Sequence, residues 1–205
     1  MNKDHTNKIL TPIKPWQQSK TKSHDVANQL AAVQSQIKTA TDQRPQHYGV
    51  EPVTLVAVSK RQPEVKIDAA LAAGQRVFGE NRIQEASQRW IDRRMAYGDL
   101  TLHLIGPLQT NKVSEAVALF DVIEVVDREK LARALANEMS RQNRYLPCYI
   151  QVNTGEEPQK SGILPNQIDD FTYFCKDELA LPIIGLMCIP PVDEEAAIHF
   201  ALLNT

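Results

Sequence analysis

The apolar positions of this chain form short continuous runs separated by helical stripes. Residues 1–22 are polar, carry Pro12 and Pro15 and hold no sustained period. They are expected to be a loose, flexible lead ahead of a folded domain spanning 23–205. Ser23 reads as an N-cap, and Val26, Leu30, Val33 and Ile37 follow at the spacing of one helical face. From Val53 a rhythm sets in. Val53-Thr54-Leu55-Val56-Ala57-Val58 is the β-rich run of a strand buried on both faces. Pro63 then opens a helix with Ile67, Ala70 and Leu71 on its apolar face, and Gly74 closes it.

The rhythm repeats. Strands are expected at 76–78, 102–105, 122–125, 148–152 and 183–187. Helices are expected over about 82–95, after caps at Thr110 and Asp127, over about 166–175, and from a cap at Asp193 through Phe200. Strands alternating with helices specify a parallel β/α architecture. About six units are countable, whereas a closed TIM (β/α)8 barrel has eight. The rival is a doubly wound open sheet, which usually places a glycine-rich turn after its first strand. Here that turn is Ser59-Lys60-Arg61-Gln62-Pro63, without glycine, and a barrel is the better fit. On pattern alone the barrel is expected to lack its last two units.

Composition narrows the partners. With 42% hydrophobic residues in a chain of 205, there is enough apolar surface for a real core. A formal net charge of -2 gives no broad basic field, so neither nucleic acid nor an anionic membrane is an expected partner. A small molecule or another protein is. Cys148, Cys175 and Cys188 are odd in number and form no Cys-x-x-Cys pair. They read as reduced thiols of a cytoplasmic protein rather than a disulfide framework or zinc site. No apolar run approaches the ~20 residues of a membrane span. The first eight residues are polar, unlike a secretory signal.

Candidate chemistry gathers where strands end, the active face of a β/α barrel. Lys60 directly follows the first strand. A lysine partly desolvated there keeps more free amine, the form that attacks an aldehyde to give a Schiff base. A surface lysine after a strand would satisfy the same position. Gly79-Glu80-Asn81 follows the second strand; Asn81 offers a donor and an acceptor to a ligand, or serves as a helix N-cap. His103 lies within the third strand and points either into the barrel or out to a helix. The Gly106–Lys112 loop leads into a helix start that would suit an anion, or is a plain capped turn. After the fifth strand, Asn153 begins a loop that carries a second lysine, Lys160. Met187 and Pro190-Pro191 close the sixth strand.

Taken in order, these segments resemble the pyridoxal-phosphate homeostasis protein family. The matching stretches are Leu55–Lys60, Ala73–Glu85, Leu102–Lys112, Gln151–Asn153, Lys160–Ile163 and Gly185–Pro190, which together cover about residues 25–203. The resemblance implies a single TIM barrel similar to the N-terminal domain of alanine racemase. It also implies pyridoxal 5′-phosphate (PLP) held as a Schiff base on Lys60, with Asn81, His103, Met187 and Lys160 as further cofactor-binding residues. The implied role is intracellular PLP homeostasis without an established catalytic reaction. The expected partners are PLP itself and apo forms of PLP-dependent enzymes as acceptors, with the chain a monomer. The alternative is a PLP-dependent amino-acid racemase. Lys160 is expected to be a second amine or a phosphate contact. The family's C-terminal phosphate-binding stretches, one like Ser-Met-Gly-Met-Ser and one like Val-Arg-Ile-Gly, have no counterpart here, in keeping with the count of six units.

Overall fold

Side chains alternating across a pleated strand place every second residue against a helix layer, and this period organises the sheet described below. The computed structural model describes residues 20–45, 49 and 51–204. They fall into two compact units, one built from the described residues through Val53 with Gln62–Gln75, the other from Thr54–Arg61 with the described residues after Gln75.

The first unit is helical. Helix α1 (Lys20–Asp42) packs on α2 (Glu64–Ala72). Of the expected α1 stripe, Val26, Leu30 and Ile37 are half-buried, while Val33 is exposed. Residues 20–22 are already helical, so Ser23 lies inside α1 and is not its cap; the rest of the expected lead falls outside the described residues. Pro63 sits at the N-cap of α2 with φ -62°, and Gly74 leaves the helix with φ +93°, a conformation that costs glycine little. Ile67, Ala70 and Leu71 are buried, as their spacing requires.

The second unit is a parallel sheet with helices. Its elements are β1 (Ala57–Val58), β2 (Val77–Glu80), α3 (Ile83–Ala96), β3 (Thr101–Leu104), α4 (Val113–Leu119), β4 (Val122–Val126), α5 (Glu129–Gln142), β5 (Cys148–Val152), α6 (Ile168–Tyr173), β6 (Ile183–Cys188) and α7 (Ala196–Leu203). The six strands lie in the order β1-β2-β3-β4-β5-β6, every neighbouring pair parallel. A doubly wound sheet reverses direction at a switch point; this one never does, which is barrel winding.

One face of the sheet packs on helices. Phe78, Leu102, Leu104, Ile123, Val125, Cys148 and Ile150 are buried there, and the Phe78 ring lies 4.6 Å from that of Trp90 on α3. The other face, called inner below, carries Val58, Gly79 and His103 in register, then Glu124, Tyr149 and Gly185. Glycine at 185 leaves room for the Tyr149 ring, whose nearest atom would be 3.0 Å from an added Cβ.

Several boundaries differ from the pattern. The first strand pairs only at Ala57–Val58, and β2 runs on through Gly79 and Glu80. Thr110 begins a 3-10 turn (Thr110–Lys112) and makes no side-chain cap to α4. The N-cap of α5 is Arg128, because Asp127 pairs with the Arg128 guanidinium instead of the helix N–H groups. The cap of α7 is Glu195, two residues past Asp193. At Asp127 an ion pair takes the carboxylate that a cap would have used.

Candidate functional site

Lys60 is placed by its neighbour. The Ser59 N–H donates to the Gly79 carbonyl at 3.1 Å and extends the β1–β2 ladder by one step beyond Val58. The ladder goes no further, and Lys60 lies in the turn that follows. Ser59 is buried and turned to the helix side, where its Oγ donates to Glu80 Oε1 at 2.7 Å. Were the period of two to run one residue past Ser59, position 60 would fall on the inner face, that of Val58. Arg61 follows with φ 58° and turns the chain away. Lys60 is exposed, which corrects the expectation of a desolvated amine. Among the described residues its Nζ has no hydrogen bond or ion pair, so no described residue competes for it.

Beyond the ends of β2, β3 and β5 lies a cavity of about 160 Å³, lined by Asn81, Ile105, Gly106, Gln151, Asn153 and Lys160 among others. Asn81 Oδ1 is buried without a hydrogen-bond partner among the described residues. A buried acceptor left unpaired costs free energy unless a ligand or water donates to it. Asn81 is not the cap of α3, a place taken by Arg82. Gly106 is fixed by close approach, since a Cβ there would stand 2.4 Å from the Asn81 carbonyl oxygen. Asn153 organises its loop by donating to the Glu157 carbonyl at 2.8 Å and accepting the Glu157 N–H at 3.2 Å. Gly162, at φ +121°, lets that loop return against the Asn153 backbone. Lys160 is held in the cavity wall by an ion pair with Glu157 and by the carbonyls of Ile189 and Pro190 at 3.4 and 3.3 Å.

His103 points to the inner face, where Nδ1 meets Glu124 Oε1 at 2.5 Å. Burial, reinforced by the Glu124 charge, raises the Tyr149 phenol above its usual value. Met187 stands opposite Gln151 on β6 and is half-buried. The cavity thus brings together Asn81 and Lys160; Lys60, His103 and Met187 do not line it. Spacing did not single out Gln151, whose amide donates to the Ser161 carbonyl at 3.3 Å, or Glu157. Only the three-residue offset of Glu157 from Lys160 hinted at a pair.

The remaining chemistry is quiet. Burial pushes the Cys148 and Cys175 thiols up to about 12, far from thiolate reactivity. Cys188 is half-buried and its thiol is also raised by burial. No group of three or more His, Cys, Asp or Glu suited to a metal occurs among the described residues. No described helix is long and apolar enough to cross a membrane.

Comparison with known proteins adds relatives to this geometry. The family model described as the alanine racemase N-terminal domain matches residues 29–202. A pyridoxal phosphate homeostasis protein of Pasteurella multocida is 36% identical over 174 residues, covering 83% of this chain and 73% of the relative. The structure of PipY from Synechococcus elongatus without PLP superposes with a TM-score of 0.72 at 37% identity, covering 86% of this chain and 76% of that one. The same protein with PLP bound gives 0.67 at 35% identity with the same coverage.

Proposed function

We propose that this chain, which belongs to the pyridoxal phosphate homeostasis protein family, binds pyridoxal 5′-phosphate and captures its aldehyde with Lys60. The observation that carries this reading is the Lys60 Nζ in the turn after β1, together with the buried Oδ1 of Asn81 just after β2, both without a partner among the described residues. The residues present suit the cofactor: a free primary amine, an orphaned acceptor, and a second ammonium, Lys160, in the wall of the cavity beside that acceptor. When bound, the cofactor supplies an aldehyde that a neutral amine converts reversibly to a carbon–nitrogen double bond, with loss of water.

The protein's part is to bind and orient. Lys60 would present the amine, Asn81 would accept a hydrogen bond from the bound molecule, and Lys160, its ammonium held by Glu157 and two carbonyls, would hold the anionic end. His103 and Met187 belong to the inner face beneath. His103 Nδ1 and Glu124 Oε1 are engaged with each other, which takes that ring nitrogen and that oxygen out of contact with a bound molecule. That favours a carrier over an amino-acid racemase. Relatives named for homeostasis agree with it. In this reading the loaded protein works in the cytoplasm as a monomer and passes its cargo to apo PLP-dependent enzymes.

An absorbance titration with PLP tests the proposal. A saturable visible band is expected for the native chain and its loss for Lys60→Ala. An unchanged band in Lys60→Ala would remove Lys60 from the role. Incubation with alanine in deuterated water is expected to give no exchange at the α-carbon; measurable exchange would restore the racemase.

A further inference from the structure

On the helix side of the sheet, at the level of the proposed site, sits a carboxylate that the binding scheme does not use. Glu80 is fully buried. Its Oε1 accepts three hydrogen bonds: from Ser59 Oγ at 2.7 Å, from Arg89 Nη1 at 2.7 Å and from Trp90 Nε1 at 2.9 Å. Arg89 Nη1 also donates to the Ser59 carbonyl at 3.1 Å. The side chain and the carbonyl of the residue directly before Lys60 are therefore held by one ion pair. The Arg89 and Glu80 side chains are 11% and 0% exposed, so water does not loosen it.

We propose that Glu80, with Arg89, is the positioning device for Lys60: by fixing Ser59 on the helix side it presents the lysine on the inner face. The inference rests on the reading of Lys60 given above. Three observations make the hub specific to that residue. β1 is two residues long and cannot fix its own facing by pairing alone. In a strand, a slip of one residue turns every side chain to the opposite face, and such slips are opposed only where a buried contact specifies the register. Ser59 supplies that contact, and the left-handed Arg61 immediately ends the segment, which confines Lys60 between two fixed residues. A buried ion pair is poor evidence for stability by itself, but it is well suited to selecting one register. Neither Glu80 nor Arg89 touches the bound molecule in this scheme; both act through Ser59.

The test reads where PLP lands. Native protein, Ser59→Ala, Glu80→Gln and Arg89→Lys are mixed with excess PLP, reduced with borohydride at short times and mapped by peptide mass. The adduct at Lys60 is followed against the adduct at exposed Lys66 in the same sample. Ser59→Ala removes a single hydroxyl, so it remains informative if Glu80→Gln fails to fold; a cooperative melt is required of each variant scored. A drop of about tenfold or more in the Lys60 rate is expected for Ser59→Ala and Glu80→Gln, a misplacement effect, with the Lys66 rate unchanged. Arg89→Lys, which keeps the charge but not the fork, is expected to fall between. A merely structural role would leave the Lys60 to Lys66 ratio at its native value, and that result in folded Ser59→Ala overturns the proposal while leaving Lys60 as the binding residue. No Lys60 adduct in native protein would overturn both.

Discussion

Gly106 shows how tightly a single residue is set at this site. A methyl group added there would meet Asn81 backbone atoms at 2.4 and 2.6 Å, and backbone does not yield as a flexible side chain does. Gly106→Ala is expected to displace Asn81, to cost about 1–3 kcal/mol of stability and to weaken PLP binding; urea denaturation and an absorbance titration measure the two effects. A fully stable variant with native affinity would show that Asn81 is not held by this contact. Cys148 gives a second prediction. Its thiol is raised from 9.0 to about 12 by burial. The unfolded chain therefore releases this proton near the lower value while the folded chain keeps it. Between those limits the unfolded state binds fewer protons, and stability falls with rising pH by about 1.4 kcal/mol per unit. The stability gap between the native chain and Cys148→Ala should narrow as denaturation is repeated from about pH 8 to about pH 11. A constant gap would contradict the burial-driven shift. That Lys60 and Asn81 follow strands and that Lys160 lies in a loop after one could be read from the sequence, because the apolar runs before them end abruptly. The exposure of Lys60 and the orphaned Asn81 oxygen could not, since both depend on chain segments distant in sequence.

At the scale of elements, strands were easier to read than helix ends. Apolar runs such as 148–152 fix a buried strand by composition alone, and β5 has those bounds. Caps depend on which polar group reaches a side chain first. Asp127 was lost to Arg128, and the side of the sheet on which Glu80 would fall depended on β2 continuing past Phe78. Asp121 shows the same competition working across elements. It accepts the Leu102 N–H at 2.7 Å, Arg94 at 2.5 Å and Arg144 at 3.2 Å, and so joins β3, the end of α3 and the approach to β5. Its side chain is 25% exposed, so solvent screens part of the charge. Asp121→Ala is expected to cost about 2 kcal/mol, chiefly because the Leu102 N–H and the two guanidinium groups lose their shared acceptor. Equilibrium denaturation in urea checks it, and a change below about 0.5 kcal/mol would show the network to be surface decoration.

At the scale of the whole molecule, sequential strand order sets what the unit can do. Because each strand lies beside its sequence neighbour, the loops after β1, β2, β3, β5 and β6 open at one end of the sheet, and chemistry far apart in sequence meets there. Lys60 and Lys160 share that end, although only Lys160 lines the cavity. The absence of a glycine-rich turn after β1 was enough to favour this winding over a doubly wound sheet, and the observed order agrees. The central claim is that this end of the sheet captures an aldehyde cofactor on one particular lysine. Its most direct test is the intact mass of the native chain after PLP and borohydride, followed by peptide mapping. The expected result is one added pyridoxyl phosphate group on Lys60 at low excess of PLP. Label spread evenly over exposed lysines, with no preference for Lys60, would contradict the account.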